Sequence, residues 1–270
     1  MIRLLPALAL LLAACAGEGP VRAPQGERPT IVSLNPCTDA ILAEVTVPGQ
    51  LLAISHYSKD PRASSMMPQT AAHYRATGGT VEEVLALDPD IVIASSFIAP
   101  ATRAALEDLG MRLVTFDAAN SVETSVAQVR ELAALAGNPS AGEALVRDIE
   151  RVLAAAAAQP ATVEAALWQP GGIVPGERAL VSDLLRRTGF ASYSAARGME
   201  QADYLSLEEV LADPPQVLLV AGSEQGQRHP VLDQFPGMRR EAFDTRLLYC
   251  GGPTIIRAAE RLAAIRRNAT

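Results

Sequence analysis

The chain has 270 residues, 49% of them hydrophobic and 20% charged, enough to bury the cores of two ordinary lobes and too apolar for a disordered tail. Its 23 Lys+Arg stand against 30 Asp+Glu, a formal charge of −7, which excludes a nucleic-acid binder that works by a basic face. Three cysteines make neither a disulfide scaffold nor a four-thiolate zinc site.

In chain order, Arg3 precedes an unbroken apolar run over 4–14 and then Cys15. Such a run covers about half of a bilayer core, so it reads as an export signal over 1–14 and not as a spanning helix. Leu12-Ala13-Ala14-Cys15 resembles the bacterial lipobox, which makes Cys15 the lipid-bearing first residue of the mature chain. The Gly-, Pro- and charge-rich stretch over 15–28 then reads as a flexible tether.

The working part opens with a β-branched strand over 30–34 and a helix capped at Asn35-Pro36. Strands over 51–55, 91–94 and 113–116 alternate with helices over 80–87 and 101–109, the pattern of a parallel sheet with helices on its faces. Helices over 121–136 and 140–159 follow, the second long enough to span a lobe. The alternation then resumes. Strands are expected over 163–168, 217–220 and 247–249, and helices over 179–188, 207–212 and 254–267. The fold class is therefore α/β: a lobe over 29–138, a linking helix over 139–159 and a second lobe over 160–270.

A repeat supports two lobes. Residues 80–93 and 206–219 match without gaps at an offset of 126. Thr80 with Glu83, and Ser206 with Glu209, each spell a capping box. That leaves Glu82 and Glu208 as carboxylates without a local task at two helix starts. Macrodipole stabilisation accounts for either one singly but not for the pair.

Among chemical motifs, there is no phosphate loop of Walker type, no nucleophile elbow and no paired-His motif, and His56, His73 and His229 lie far apart. Cys37 sits in the first turn of a helix and Cys250 at the end of the expected last strand, so both belong at carboxyl edges of sheets, where open α/β folds bind ligands. They are expected to face one another across the cleft between the lobes. The pair is open to three readings: buried thiols, a disulfide formed after export, or soft donors to a ligand's metal. Cys37 as a nucleophile would need a nearby histidine base.

Ile31-Val-Ser-Leu-Asn-Pro36, Ser55-His-Tyr-Ser58 with Asp60-Pro61, and the segment from Gly79 to Ile93 together resemble the substrate-binding proteins of ABC importers for iron chelates and cobalamin. The resemblance runs over essentially the whole mature chain. It implies two Rossmann-like lobes joined by one long helix, a ligand between them, no catalysis and no cofactor. It further implies that Glu82 and Glu208 dock onto arginines of a permease dimer, and that Tyr57 and the Asn35-Pro36-Cys37 turn line the ligand site. Ser58, Phe97, Trp168 and Cys250 are further candidate ligand contacts, Cys37 and Cys250 being departures from the family's pattern. Arg62, Arg228 and Arg257 are candidate counter-charges for an anionic ferric chelate. A siderophore or haem-like iron chelate is the expected ligand, with a corrinoid as the alternative and a thiol enzyme or a ligand-free envelope lipoprotein as rivals of other classes. The lipid on Cys15 is the expected link to the membrane.

Overall fold

The structure, a computed structural model, describes residues 28–157 and 163–269. The signal segment, Cys15 and nearly all of the tether lie outside the described residues, as do residues 158–162.

Strand β1 (Ile31–Ser33) leads into α1 (Pro36–Val45). Asn35 caps the helix by accepting the Cys37 amide at 3.0 Å, and Pro36 takes the first position, where no amide is needed. Then come β2 (Leu51–Ser55), a 3-10 turn (His56–Lys59), α2 (Pro68–Ala72), β3 (Ala76–Thr77), α3 (Val81–Leu87) and β4 (Ile91–Ser95). Helix α4 (Pro100–Asp108) and β5 (Leu113–Phe116) complete a five-stranded parallel sheet of order β3-β2-β1-β4-β5.

Helices α5 (Val122–Leu135) and α6 (Pro139–Ala156) lead out of this lobe. On α6 the residues Leu145, Val146, Ile149, Val152, Leu153 and Ala156 are buried. Their spacing makes one apolar stripe of a helix about 27 Å long.

The second lobe runs β6 (Val163–Trp168), β7 (Ile173–Val174), α7 (Leu180–Arg187), β8 (Phe190–Ser192), α8 (Tyr193–Ala196), β9 (Asp203–Tyr204), α9 (Leu207–Ala212), β10 (Val217–Val220), β11 (Arg239–Ala242) and α10 (Thr254–Asn268). Its main sheet is parallel, of order β11-β10-β6-β8, while β7 and β9 form a separate antiparallel ribbon.

The sequence repeat maps onto matching parts. Strand β4 pairs with β1, and β10 pairs with β6, each beside the first strand of its sheet. Each repeat unit is also entered from a two-residue strand, β3 or β9. The strand order reverses between β1 and β4 and again between β6 and β10, so each lobe has a crevice there, beyond the carboxyl ends of its strands.

Three sequence expectations are corrected. Residues 247–249 are not a strand: Thr245–Leu247 is a 3-10 turn, and the last strand is β11, whose Arg-Arg-Glu-Ala sequence hides it. The box at Ser206 closes both ways, with Ser206 N donating to Glu209 at 2.7 Å. At Thr80 it does not. Glu83 reaches past the cap to the Gly78 amide at 2.6 Å and the Thr77 hydroxyl at 2.7 Å, which hold its carboxyl below the usual range. Finally, the described part of the linking helix ends at Ala156.

Beyond α6, the lobes are joined by a set of direct contacts. Asp183 on α7 accepts the Val122 amide at the start of α5 at 3.0 Å, and the Ser125 hydroxyl accepts the Gly252 amide at 2.7 Å. A Cβ on Gly252, whose φ is +59°, would sit 2.5 Å from Ile41, so only glycine lets this segment press against α1. One core cluster accordingly runs through both lobes, from Ile31 and Ile41 through Ile149 to Leu167 and Ile255.

Candidate functional site at the facing strand ends

Cys37 and Cys250 are joined in a disulfide, with Cα atoms 5.0 Å apart and a sequence separation of 213. It ties the first turn of α1 to the segment before α10, hence one lobe to the other. Of the readings open for this pair, the bridge is the one realised. In this state Cys37 is not a free nucleophile.

At the first lobe's crevice, Tyr57 follows β2, Asn35 follows β1 and Phe97 follows β4. Phe97 is 84% exposed and Tyr57 53% exposed. The Phe97 amide donates to the Ser95 hydroxyl at 3.2 Å, and the Tyr57 amide to the Ser55 hydroxyl at 3.3 Å. Each ring is thus aimed outward by a serine turn at the strand end. His56 stacks on Tyr57 with centroids 4.0 Å apart, its Nδ1 3.3 Å from the Thr77 carbonyl.

Beneath this edge lies Asp39, fully buried in the first turns of α1. Its Oδ2 accepts the Ser55 amide at 2.8 Å and the Ser58 hydroxyl at 2.6 Å, while Oδ1 is buried without a hydrogen bond. Burial pushes the carboxyl up to about 8, against the opposing pull of the Ser33 and Ser58 hydroxyls and the Ser55 amide. Ser58 therefore does not line the ligand site: it is buried, and its hydroxyl anchors the turn that carries Tyr57.

The second lobe's crevice is differently built. Trp168 is 3% exposed, packs with Ala166, Leu205 and Leu218, and donates its indole N–H to the Leu205 carbonyl at 2.8 Å. The expectation that it stacks on a ligand is corrected: its ring points into the core because helices cover both faces of a central parallel strand. Gln227, buried, spans the crevice by donating to the carbonyls of Trp168 (3.0 Å) and Ala221 (3.1 Å).

The space in this lobe lies to one side, beyond the ends of β10 and β11. A cavity of 770 Å³ there is walled by Val220, Phe243 and Leu247, edged by Met67 of the first lobe, and lined by Arg246, Arg257 and Arg261. Arg246 is bound to Asp244 through both oxygens, its Nη2 donating to Oδ2 at 2.5 Å and its Nε to Oδ1 at 3.1 Å, which holds the Asp244 carboxyl below its usual range. Arg261 bonds Glu241 at 3.1 Å and the Ala242 carbonyl at 2.7 Å. Arg257 reaches across to the other lobe, to the Ser65 carbonyl and the Met67 sulfur. Burial and the adjacent Arg246 charge lower its pKa, with Asp244 partly opposing. Of the other proposed counter-charges, Arg62 pairs with Asp60 at 2.9 Å on the surface, and Arg228 lines an adjoining groove of 310 Å³.

Glu82 and Glu208 are exposed in the first turns of α3 and α9, and neither forms an ion pair or side-chain hydrogen bond with the described residues. Sequence reasoning passed over Arg246 and Arg261, and also over Tyr249, exposed beside Cys250, and Tyr204, exposed at the end of β9. Tyr249 was signalled by its place beside Cys250. No periodic signal marked the others.

Two doubly wound lobes, one shared helix and facing strand ends define a known architecture, and the sequence matches the model of the family described as periplasmic binding protein over residues 31–243. The chain belongs to the periplasmic binding protein family. Among solved structures, the fold is that of the periplasmic heme-binding protein RhuT from Roseiflexus sp. RS-1, with TM-score 0.70 and 23% identity over 89% of this chain and 98% of that one. It is equally that of the periplasmic vitamin B12 binding protein BtuF of Vibrio cholerae, with TM-score 0.69 and 19% identity over 89% and 97%. A cobalamin-binding protein of Halobacterium salinarum is 28% identical over 138 residues, which are 49% of this chain and 36% of that protein. This chain thus matches only about a third of that relative's length. Family and neighbours are binding proteins, and the family works outside the cytoplasm, a setting that suits the disulfide. Among the described residues no helix is long and apolar enough to cross a membrane.

Proposed function

We propose that this protein is the substrate-binding lipoprotein of an ABC importer, anchored through Cys15, that holds an iron chelate between its lobes and hands it to a permease dimer. The observation that carries this reading is the first lobe's open crevice, where Tyr57, Asn35 and Phe97 stand at the ends of three adjacent strands. Neighbouring strands lie about 4.8 Å apart, so the two exposed rings sit on strands roughly 10 Å apart, a breadth suited to a flat macrocycle. The ligands named for RhuT and BtuF, heme and vitamin B12, are both of that shape. Asn35, Pro36, Tyr57 and Phe97 are the proposed first-lobe contacts. The Cys37–Cys250 bridge forms the closed end of the site. A corrinoid is the second reading, favoured by the Halobacterium relative.

The repeated carboxylates supply the docking half of the proposal. A two-fold permease needs equivalent groups on both lobes, and Glu82 and Glu208 occupy equivalent positions of the repeat with no ion-pair partner among the described residues.

Native mass spectrometry and thermal shift against ferric siderophores, ferric protoporphyrin and cobalamins test the ligand. A true ligand at 100 times its dissociation constant should stabilise the protein by about 2.7 kcal/mol. Glu82→Arg with Glu208→Arg should abolish uptake in cells while affinity stays within a few-fold. Normal uptake by that variant would refute docking through these residues, and absence of binding to every chelate would refute the reading as a whole.

A further inference from the structure

We propose that Asp39 is the positioning residue of the first lobe's ligand edge: one of its carboxyl oxygens holds the turn over 56–59 on both sides of Tyr57, and through that turn it sets where Tyr57 and His56 meet the ligand. This rests on the chelate-binding reading above and deepens it, by making affinity depend on a proton held out of the ligand's reach.

An exposed ring is placed by its backbone, because little packs against it. Four anchors hold the backbone that carries Tyr57. The Ser55 hydroxyl accepts the Tyr57 amide, His56 Nδ1 lies 3.3 Å from the Thr77 carbonyl, and Lys59 donates to the carbonyls of Ala71 and Tyr74. The fourth is Asp39 Oδ2, which accepts the Ser55 amide at 2.8 Å and the Ser58 hydroxyl at 2.6 Å. The first of these is internal to the turn, and His56 and Lys59 are exposed. Only the Asp39 anchor is fully buried, where water does not compete for its hydrogen bonds. It also ties the turn to α1, two residues from Cys37 and its bridge to the second lobe. The rings are thus set relative to both walls of the cleft.

The anchor suits one protonation state. Oδ2 has two donors, whereas Oδ1 is buried with no hydrogen-bond partner among the described residues, so a negative charge shared with it goes unanswered. No charged side chain offsets that cost. On the turn, His56 faces Thr77 and Lys59 its two carbonyls, while Glu44, further along α1, is exposed. The charged side chains of α5 and α6 are exposed or, like Arg130 with Glu143 at 2.7 Å, paired with one another. Arg257 of α10 bonds Ser65 and Met67, and β1 and β2 carry no charge. Burial therefore sets the balance and pushes the carboxyl up to about 8, against the Ser33 and Ser58 hydroxyls and the Ser55 amide. Once the proton leaves, the charge is relieved by water, and water reaches Asp39 when the short turn above it lifts. A ligand lying on Tyr57 and His56 closes that route, so it binds the protonated form.

The test is a set of affinity profiles against pH on the mature protein, with ferric protoporphyrin IX, cyanocobalamin and a ferric siderophore as probes. Each affinity is taken as the ratio of wild type to Asp39→Asn, which cancels the probe's own titration. That ratio should be level from pH 5.5 to 7 and fall about tenfold by pH 9, one unit above the value of the carboxyl. Glu44→Gln, exposed on the same helix, should follow the wild-type profile. Asp39→Ala, which frees the turn, should weaken binding about tenfold at pH 6. Added to Tyr57→Ala it should cost less than about twofold more, since it acts through that ring. Melting curves of all variants report folding, and Asp39→Asn carries the test if Asp39→Ala does not fold. A ratio that stays level to pH 9, or losses that add in full in the double variant, would overturn the inference while the chelate-binding reading stands. If no probe binds wild type at any pH, both fall.

Discussion

The two lobes share a topology, a repeated helix–strand unit and a core, yet they present different chemistry to the space between them. The first offers aromatic rings at an open crevice, Tyr57 and Phe97, with the carboxyl of Asp39 buried beneath them. The second has its central crevice spanned by Gln227 and its aromatic Trp168 turned inward, and it offers arginines from the loop after β11 and from α10. The teaching is that duplication preserves what packing requires, the strand order and the helix starts. The loops beyond the strand ends carry no such constraint and are free to diverge into an aromatic side and an arginine-lined side.

The comparison can be broken most forcefully at the bridge. Cys37→Ser with Cys250→Ser should lower stability by about 2–5 kcal/mol, and wild type under reductant should melt at the same temperature as the double variant. A change under 1 kcal/mol would mean that the contacts of α6, Ser125 and Asp183 alone hold the lobes together.

The buried carboxylate under the aromatic edge comes next. Its value of about 8 lies above the ordinary 3.8, so the folded chain keeps a proton that the unfolded chain has released. The stability from this group is therefore complete below about pH 4 and drains away as pH rises through about 8. Asp39→Asn, which keeps an acceptor for Ser55 and Ser58, should flatten that decline. It should exceed wild type at pH 8 by on the order of 3 kcal/mol in denaturant titrations. A wild type equally stable at pH 5 and pH 8 would contradict the assignment.

The smallest effects separate core from edge. Trp168→Phe should cost about 1–3 kcal/mol of stability, because it removes the bond to Leu205 and leaves a void, while chelate affinity changes little. Phe97→Ala should do the reverse: stability within about 0.5 kcal/mol and affinity lower by roughly tenfold. Exchange of these two outcomes would put Trp168 back at the ligand.

Much of this was legible before any coordinates. The Asn35-Pro36 helix start, the duplicated 80–93 segment and the alternation of elements rest on local rules, and the structure follows them. The placement of Cys37 and Cys250 opposite one another followed from topology alone, although Cys250 comes after a 3-10 turn and not after a strand. What failed did so for physical reasons. Strand β11 is an edge strand with one neighbour, so Arg239 and Arg240 can stay exposed and erase the apolar signal. On β6, Ala165 and Leu167 enter one core cluster while Ala166 and Trp168 enter the other. A last strand residue is thus buried whichever way it points, and only the residues beyond it reach the cleft. Ser58 looked like a site hydroxyl because nothing in its neighbourhood announces that Asp39, nineteen positions earlier, lies beneath it. Arg246 and Arg257 come from separate elements, and no spacing rule brings them together.

The bridge also sets an order of events in the making of the protein. Cys37 emerges early and must stay unpaired while both sheets are synthesised, since its partner lies 213 residues later. A nearer thiol competes: Cys15 is 22 residues away, and closing that shorter loop is entropically easier by about 2 kcal/mol. Acylation of the Cys15 sulfur, as proposed above, would retire this competitor chemically, so that the modification that holds the chain at the membrane would also steer Cys37 to its distant mate.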